Sequence, residues 1–396
     1  MCPGKPLCDR GSFASGLRPG TPIAQQKQIP QRQQDADAPY PPSLFHLARS
    51  FRPLLGRGGV ASMSAALDRR KIFIGASAGG VHAILELAAA LPSDFPVPIF
   101  FVQHIGSHRS QLDMLISMRG PNIGVSPVDG EQVRPGRIYV APPDRHMVVE
   151  GEQIRLLHGP KEHHARPAID PLFRSAALSC GPSAVGVVLT GLLDDGAAGL
   201  RAIKDCGGLA VVQHPSDARE PSMPLSALSA VDADHVVTLA ELAGLLHSLA
   251  TEEAVFQKRQ PPESLLLEQA VARGDRAMEN LKQMGTPSTF TCPDCGGVLF
   301  EVGDRTLVRY RCHTGHAFSL RTLAHTQEQL TDAALWTSLR TLQEKESVLR
   351  RLAAAQLSTG GTADALREAD ALAQVCEALR KLTERAPTAS SYDDGP

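Results

Sequence analysis

The stretch KIFIGASAGGVHAILEL, residues 71–87, decides the fold. An apolar run, Lys71 to Ala76, reads as a strand. It stops at Gly75-Ala76-Ser77-Ala78-Gly79-Gly80 and passes at once into a segment with helical apolar spacing. A serine between glycines at such a turn is the arrangement of a nucleophile elbow. The glycines permit a tight backbone, and the hydroxyl is raised at the strand's carboxyl end beside a helix amino terminus. Acyl transfer is the leading chemistry, provided the fold supplies a base and an orienting acid.

Working outward, residues 66–250 alternate short Val- and Ile-rich runs with helical segments. The runs are KIFIGAS, PVPIFFVQH (96–104), RIYVAPP, AVGVVLTG (184–191) and LAVVQHP (209–215), and HMVVEGEQIRLLH (146–158) reads as a hairpin turning at Gly151-Glu152. This pattern predicts an α/β domain with a doubly wound, mainly parallel sheet. Residues 1–65 hold nine prolines, a glutamine-rich patch and eight Lys and Arg against three Asp and Glu. They read as a disordered, low-complexity leader, or as an extension upstream of a start at Met63. Residues 251–288 read as a helical linker, 289–318 as a small cysteine module, 319–385 as a helical hairpin or coiled coil, and 386–396 as a disordered tail. The helical reading rests on Leu323, Leu330, Leu335, Leu339, Leu342, Leu349 and Leu352, with a break at Ser358-Thr359-Gly360-Gly361.

In an open parallel sheet, ligands sit outside the carboxyl ends of the strands. Ser77 follows KIFIGA, His104 ends PIFFVQ, and Asp194-Asp195 follow VVLTGLL. A serine needs a base to take its proton, and an imidazole needs a carboxylate to fix its tautomer. Each residue has a plainer role available. Ser77 alone suits a helix N-cap, His104 a structural histidine and Asp195 a helix-capping acid. A dinucleotide loop is a further reading of the glycines, but Gln103-His104 stands where that fingerprint wants an acidic residue.

IGASAGG, FVQH, IYVAPPDRHM, RPAIDPLF and LTGLLDDGAAGL, in this order, resemble the catalytic domain of CheB-type protein-glutamate methylesterases. The resemblance implies a serine esterase acting on glutamate γ-methyl esters of a signalling or receptor protein, with glutamine deamidation as a second activity. It implies Ser77 as nucleophile, His104 as general base and Asp195 as orienting carboxylate, with the backbone amides of Leu192 and Ala78 as oxyanion donors. The family's Asn-Asp-Gly reads Asp194-Asp195-Gly196 here, which adds a negative charge. Its Thr-Gly-Met reads Thr190-Gly191-Leu192, a change that a backbone donor survives. Arg166 either holds an acidic protein surface or pairs with Asp170. The chemotaxis members carry an N-terminal phospho-receiver, and nothing in residues 1–65 resembles one, so control is expected from the C-terminal additions.

Cys292-Pro-Asp-Cys295, then Cys312-His-Thr-Gly-His316, has zinc-ribbon spacing, with Cys292, Cys295, Cys312 and His316 as the expected tetrahedral set. His316 closes a chelate better than the adjacent His313. No ligand is left over for an open position, so the metal is expected to be structural, with no cofactor for catalysis. A redox Cys-x-x-Cys pair is the other reading.

Composition bounds the rest. The 396 residues carry 40 Lys and Arg against 42 Asp and Glu, a formal net charge of −2. That argues against a nucleic-acid binder driven by bulk charge. The basic residues of the cysteine module, Arg305, Arg309 and Arg311, are offset by Asp294, Glu301 and Asp304. No apolar run reaches the ~18 residues of a membrane span. The scattered cysteines suggest a reducing cytoplasm rather than a disulfide framework. The competing expectation is a non-enzymatic signalling scaffold whose zinc ribbon and helical tail bind a regulatory partner.

Overall fold

The computed structural model describes residues 69–106, 108–252, 259–303, 307–356 and 361–385. The expected leader, residues 1–65, and the tail, 386–396, lie outside the described residues. The elements run β1 (Lys71–Ala76), α1 (Gly80–Ala90), β2 (Ile99–Gln103), α2 (Leu112–Arg119), β3 (Ile123–Val125), β4 (Arg137–Val140), β5 (His146–Glu150), β6 (Gln153–Leu157) and α3 (Ile169–Cys180). Then come β7 (Ala184–Val188), α4 (Ala197–Asp205), β8 (Leu209–Gln213), α5 (Ser222–Ala230), β9 (His235–Val237) and α6 (Leu239–Thr251). The remainder is α7 (Glu263–Arg273), α8 (Ala277–Met284), β10 (Gly285–Thr291), β11 (Val298–Val302), β12 (Arg309–Cys312), β13 (Ala317–Ser319), α9 (Leu320–Ala354) and α10 (Thr362–Arg385).

Seven strands form one sheet in the order β3-β4-β2-β1-β7-β8-β9, and every pair in it is parallel. From β1 the chain moves outward to β2 on one side, and from β7 outward to β8 on the other. The order therefore reverses between β1 and β7, where a crevice opens at the strands' carboxyl ends. β1 and β7 are apolar on both faces because helices cover both, with five of six and five of five residues buried. On one face Phe73 stacks on Phe100 at 4.8 Å and Phe100 on Tyr139 at 5.5 Å, joining β1, β2 and β4. A ring buried this fully is worth about 3–5 kcal/mol against alanine.

The helix α1 buries Gly80, Ala83, Ile84, Leu87 and Ala88, an i, i+3, i+4, i+7 stripe that covers the other face. Pro92 ends the run. Edge strands β3 and β9 hold three residues each, too few for alternation to be read in sequence.

β10 to β13 make a separate antiparallel sheet in sequence order. Its core is Cys292, Leu299, Tyr310, Cys312, Phe318 and Leu323. The sheet begins at Gly285, before the first cysteine, and α7 and α8 precede it in the stretch expected as a helical linker. α10 folds back along α9, with Lys345–Glu368 at 2.7 Å and Arg350–Asp370 at 2.9 Å. Among the described residues, no helix is long and apolar enough to cross a membrane.

Candidate active site

Ser77 follows β1 directly, and Gly79 caps α1 with φ +81, a conformation that side chains other than glycine rarely adopt. No side chain caps α1. The Ser77 hydroxyl is thus free of the capping role that sequence also allowed, and its Oγ lies 3.2 Å from His104 Nδ1. The other imidazole nitrogen, Nε2, lies 2.6 Å from Asp195 Oδ2. An ionised carboxylate only accepts, so Nε2 carries the proton and the Nδ1 lone pair faces the serine. The three side chains stand at the ends of β2, β1 and β7, adjacent strands of the sheet. Gln103 Nε2 ties two of these ends together, donating to Ser77 O at 2.7 Å and His104 O at 3.1 Å.

Asp195 is 2% exposed. Its Oδ2 also accepts from Ile169 N at 2.7 Å, and its Oδ1 from Asp170 N at 3.0 Å. These are the first two amides of α3, which have no partner within the helix. Asp170 returns the arrangement. Its Oδ1 accepts from Gly196 N at 3.1 Å and Gly199 N at 2.7 Å, at the start of α4. Each carboxylate thus caps the helix that carries or follows the other, where the helix dipole favours negative charge. Short residues at the contact make this possible, since Gly199 lies against Phe173 and Asp170 too closely for a Cβ.

Behind Asp195 lies a second buried imidazole that sequence reading missed. His163 Nε2 donates to Asp170 Oδ2 at 2.9 Å and is 3.7 Å from Asp195 Oδ1. Burial alone would lower its pKa, but the Asp195 charge and the hydrogen bond and charge of Asp170 raise it to about 10. Burial would raise the Asp195 carboxyl, yet the His163 charge and the His104 hydrogen bond hold it well below the usual carboxylate range.

His163 thereby sets an alkaline limit. A group whose folded pKa is about 10 against an ordinary 6.5 stabilises fully below pH 6.5, and that contribution is lost as pH rises toward 10. The thermal midpoint is expected to fall progressively between pH 7 and 10. His163→Gln should be less stable at pH 7 and show a flatter alkaline profile. An unchanged slope in the variant would remove His163 as the titrating group.

Arg166 pairs neither with Asp170 nor with the serine site. Its Nη2 and Nε reach Asp144 Oδ1 at 2.6 and 2.8 Å, and Nη1 donates to Gly159 O at 2.6 Å. The expected Arg166–Asp170 pair is corrected because α3 starts at Ile169 and turns Asp170 inward onto α4, leaving Arg166 on the preceding loop. Ala78 N and Leu192 N, the expected oxyanion donors, have no hydrogen-bond acceptor among the described residues, and Leu192 is exposed. Leu193 beside it has φ +64, a left-handed backbone costing about 1–3 kcal/mol in a residue other than glycine. Its carbonyl is held by Ser222 Oγ at 3.1 Å and Ser226 Oγ at 3.2 Å, from α5. Outside Ser77 a groove of about 540 Å³ is lined by Val81, His82, Leu85, Glu86, Arg119 and Arg219.

In the cysteine module, one ligand atom from each of Cys292, Cys295, Cys312 and His316 lies within 4.8 Å of all the others. Cys295 Sγ–Cys312 Sγ is 3.7 Å and Cys312 Sγ–His316 Nδ1 is 3.5 Å. A zinc ion with Zn–S of about 2.3 Å has tetrahedral edges of about 3.8 Å, so this donor set fits such an ion. His313 is not in the cluster.

Comparison with known proteins joins this geometry to a family. Residues 72–246 match the family model described as CheB methylesterase. A putative protein-glutamate methylesterase/protein-glutamine glutaminase of Leptospira interrogans is 39% identical over 181 residues, 45% of this chain and 94% of the relative. The protein-glutamate methylesterase/protein-glutamine glutaminase of Escherichia coli K12 is 38% identical over 183 residues, 44% of this chain, which spans about half (52%) of that relative's length. The crystal structure of the Thermotoga maritima CheB methylesterase catalytic domain is similar at 28% identity and a TM-score of 0.44, covering 46% of this chain and 99% of that one. With 94% of the Leptospira relative covered at 39% identity and the family model matched over residues 72–246, the chain belongs to the CheB methylesterase family.

Proposed function

We propose that this chain hydrolyses γ-methyl esters of glutamyl side chains on a receptor-like signalling protein, through Ser77, His104 and Asp195. The observation that carries the reading is the unbroken line from Ser77 Oγ to His104 Nδ1 (3.2 Å) and from His104 Nε2 to Asp195 Oδ2 (2.6 Å). Ser77 Oγ attacks the ester carbonyl while its proton passes to His104 Nδ1. The imidazolium formed is stabilised by Asp195, which stays ionised. The amides of Ala78 and Leu192 would meet the oxyanion. The intermediate collapses, its methoxy group taking the proton from Nδ1 and leaving as methanol. Water, deprotonated by the same nitrogen, then releases glutamate and restores Ser77. Attack on a glutamine side chain follows the same course with ammonia as leaving group, in keeping with the second activity in the relatives' names.

The open groove, with Arg119 and Arg219 at its sides, suits a carboxylate-bearing protein surface rather than an enclosed small molecule. The test is methanol release from a methylated receptor fragment. The chain should release methanol and Ser77→Ala should not. Equal release by both, or none from either, would overturn the reading.

The same reading includes a structural zinc held by Cys292, Cys295, Cys312 and His316. The ion would pin the two knuckles of the module, and no step of the hydrolysis passes through it. Purified chain is expected to carry one zinc per molecule by elemental analysis, and Cys312→Ser to lose most of it. Full-strength zinc binding by that variant would contradict the assigned set.

A further inference from the structure

The loop that carries Asp194 and Asp195 faces the serine site on one side and the cysteine module on the other. Asp194 Oδ1 accepts from Ser319 Oγ at 2.7 Å and from Thr322 Oγ1 at 3.0 Å. Ser319 is the N-cap of α9 and itself accepts from Thr322 N at 3.0 Å. One oxygen of Asp194 therefore meets two hydroxyl donors at the positive end of a 35-residue helix. His163 lies beneath, with Nδ1 3.3 Å from Thr322 Oγ1 and 3.7 Å from Asp194 Oδ1.

The module is seated firmly enough to act as a fixed support. His163 N donates to Ala317 O at 2.8 Å, so the segment before α3 runs beside β13. Arg311, 1% exposed, reaches Glu162 at 3.2 Å and Glu268 at 2.9 Å. Arg174 of α3 holds Glu162 at 2.6 Å, so the charged cluster bridges the two parts of the chain.

The loop needs such support. Leu193, just before Asp194, keeps its left-handed backbone only where neighbours enforce it. Asp170, Asp194 and Asp195 crowd one buried region with His163 as the cation between them. Without the hydroxyls, Asp194 gains by turning toward water, and its peptide neighbour Asp195 turns with it.

We propose that Ser319 and Thr322 are positioning residues of the hydrolytic site. By holding Asp194 they fix the loop that presents Asp195 to His104, and the C-terminal module thereby completes the site. Neither residue touches the reacting atoms. The inference rests on Ser77, His104 and Asp195 being the reacting groups.

The test uses the full chain with Ser319→Ala and Thr322→Val combined, which removes both hydroxyls at little change in volume. The rate of phosphonylation of Ser77 by a fluorophosphonate probe is read beside zinc content, thermal midpoint and amide exchange at Ile169 and Asp170. Labelling is expected to slow by about tenfold or more, as for small misplacements of catalytic groups. Zinc should be retained, exchange at the two amides should quicken, and Thr322→Ser alone should recover the rate. A folded double variant that labels at the wild-type rate overturns the proposal. Should the double variant fail to fold, Asp194→Ala breaks the same bonds from the other side and is read by the same two outcomes. Wild-type chain that labels no faster than Ser77→Ala would instead defeat the hydrolytic reading, and this proposal with it.

Discussion

Asp195→Asn is expected to lower kcat on a glutamyl methyl ester by about 10³–10⁴, the scale found when an orienting acid of this kind becomes an amide, with KM little changed. Both oxygens of Asp195 face donors. Oδ2 meets His104 Nε2 and Ile169 N, and Oδ1 meets Asp170 N. An asparagine amide must turn its NH₂ toward one of these sides, so one N–H always opposes another. If it faces His104, the imidazole is driven to the tautomer with its proton on Nδ1 and has no lone pair for Ser77. If it faces Asp170 N, the cap of α3 is broken and the loop shifts. Either way the base is lost, while the substrate groove is untouched. Steady-state kinetics give the answer, and a kcat within tenfold of wild type would show that Asp195 does not orient the base.

Arg311→Met is expected to destabilise the chain by about 3–5 kcal/mol, the cost of breaking a buried ion cluster by removing one partner. Arg311 is 1% exposed and donates to Gly315 O at 2.9 Å as well as to Glu162 and Glu268. Both acids are buried, and Arg174 and Arg309 remain to face them. Burial pushes the Glu162 carboxyl up, but Arg174 and Arg311 outweigh it and pull it down to about 2 from an ordinary 4.5. A lowered acid stabilises above pH 4.5 and loses that contribution as pH falls toward 2, so the deficit of Arg311→Met should be largest near neutrality and shrink in acid. Urea unfolding at pH 7 and pH 4 reads both points. A deficit under about 1 kcal/mol at pH 7 would mean that the buried cluster contributes little net stability.

Much of the site was legible because a parallel sheet gathers its carboxyl ends whatever their separation in sequence. Ser77, His104 and Asp195 are polar residues directly behind apolar runs, and the doubly wound sheet brings β2, β1 and β7 side by side. What could not be read depends on partners far along the chain. Thr322 lies 159 residues from His163, and no local pattern marks the pair. Glu162, Arg174, Glu268 and Arg311 look like solvent-facing charges in sequence, and only long-range pairing makes them interior. The Arg166–Asp170 expectation failed for a local reason, since the start of α3 at Ile169 separates the two residues onto different faces. β10, of which residues 285–288 were read as linker, is GTPSTFT with a mostly exposed pattern and gives no alternation to detect.

Placed together, these parts describe one candidate site with two layers of support. Two helices capped by each other's carboxylates hold Asp195 from below, and α5 and α9 hold its loop from the sides. The extra charge at Asp194, foreign to the Asn-Asp-Gly pattern, is met by the module that the pattern lacks.

Mass spectrometry of the chain after treatment with a fluorophosphonate is the most direct test of the central claim that Ser77 is an activated nucleophile. The account predicts a single adduct, on the peptide containing Ser77 and absent in His104→Ala. An adduct on another serine, or none on folded chain, would contradict it.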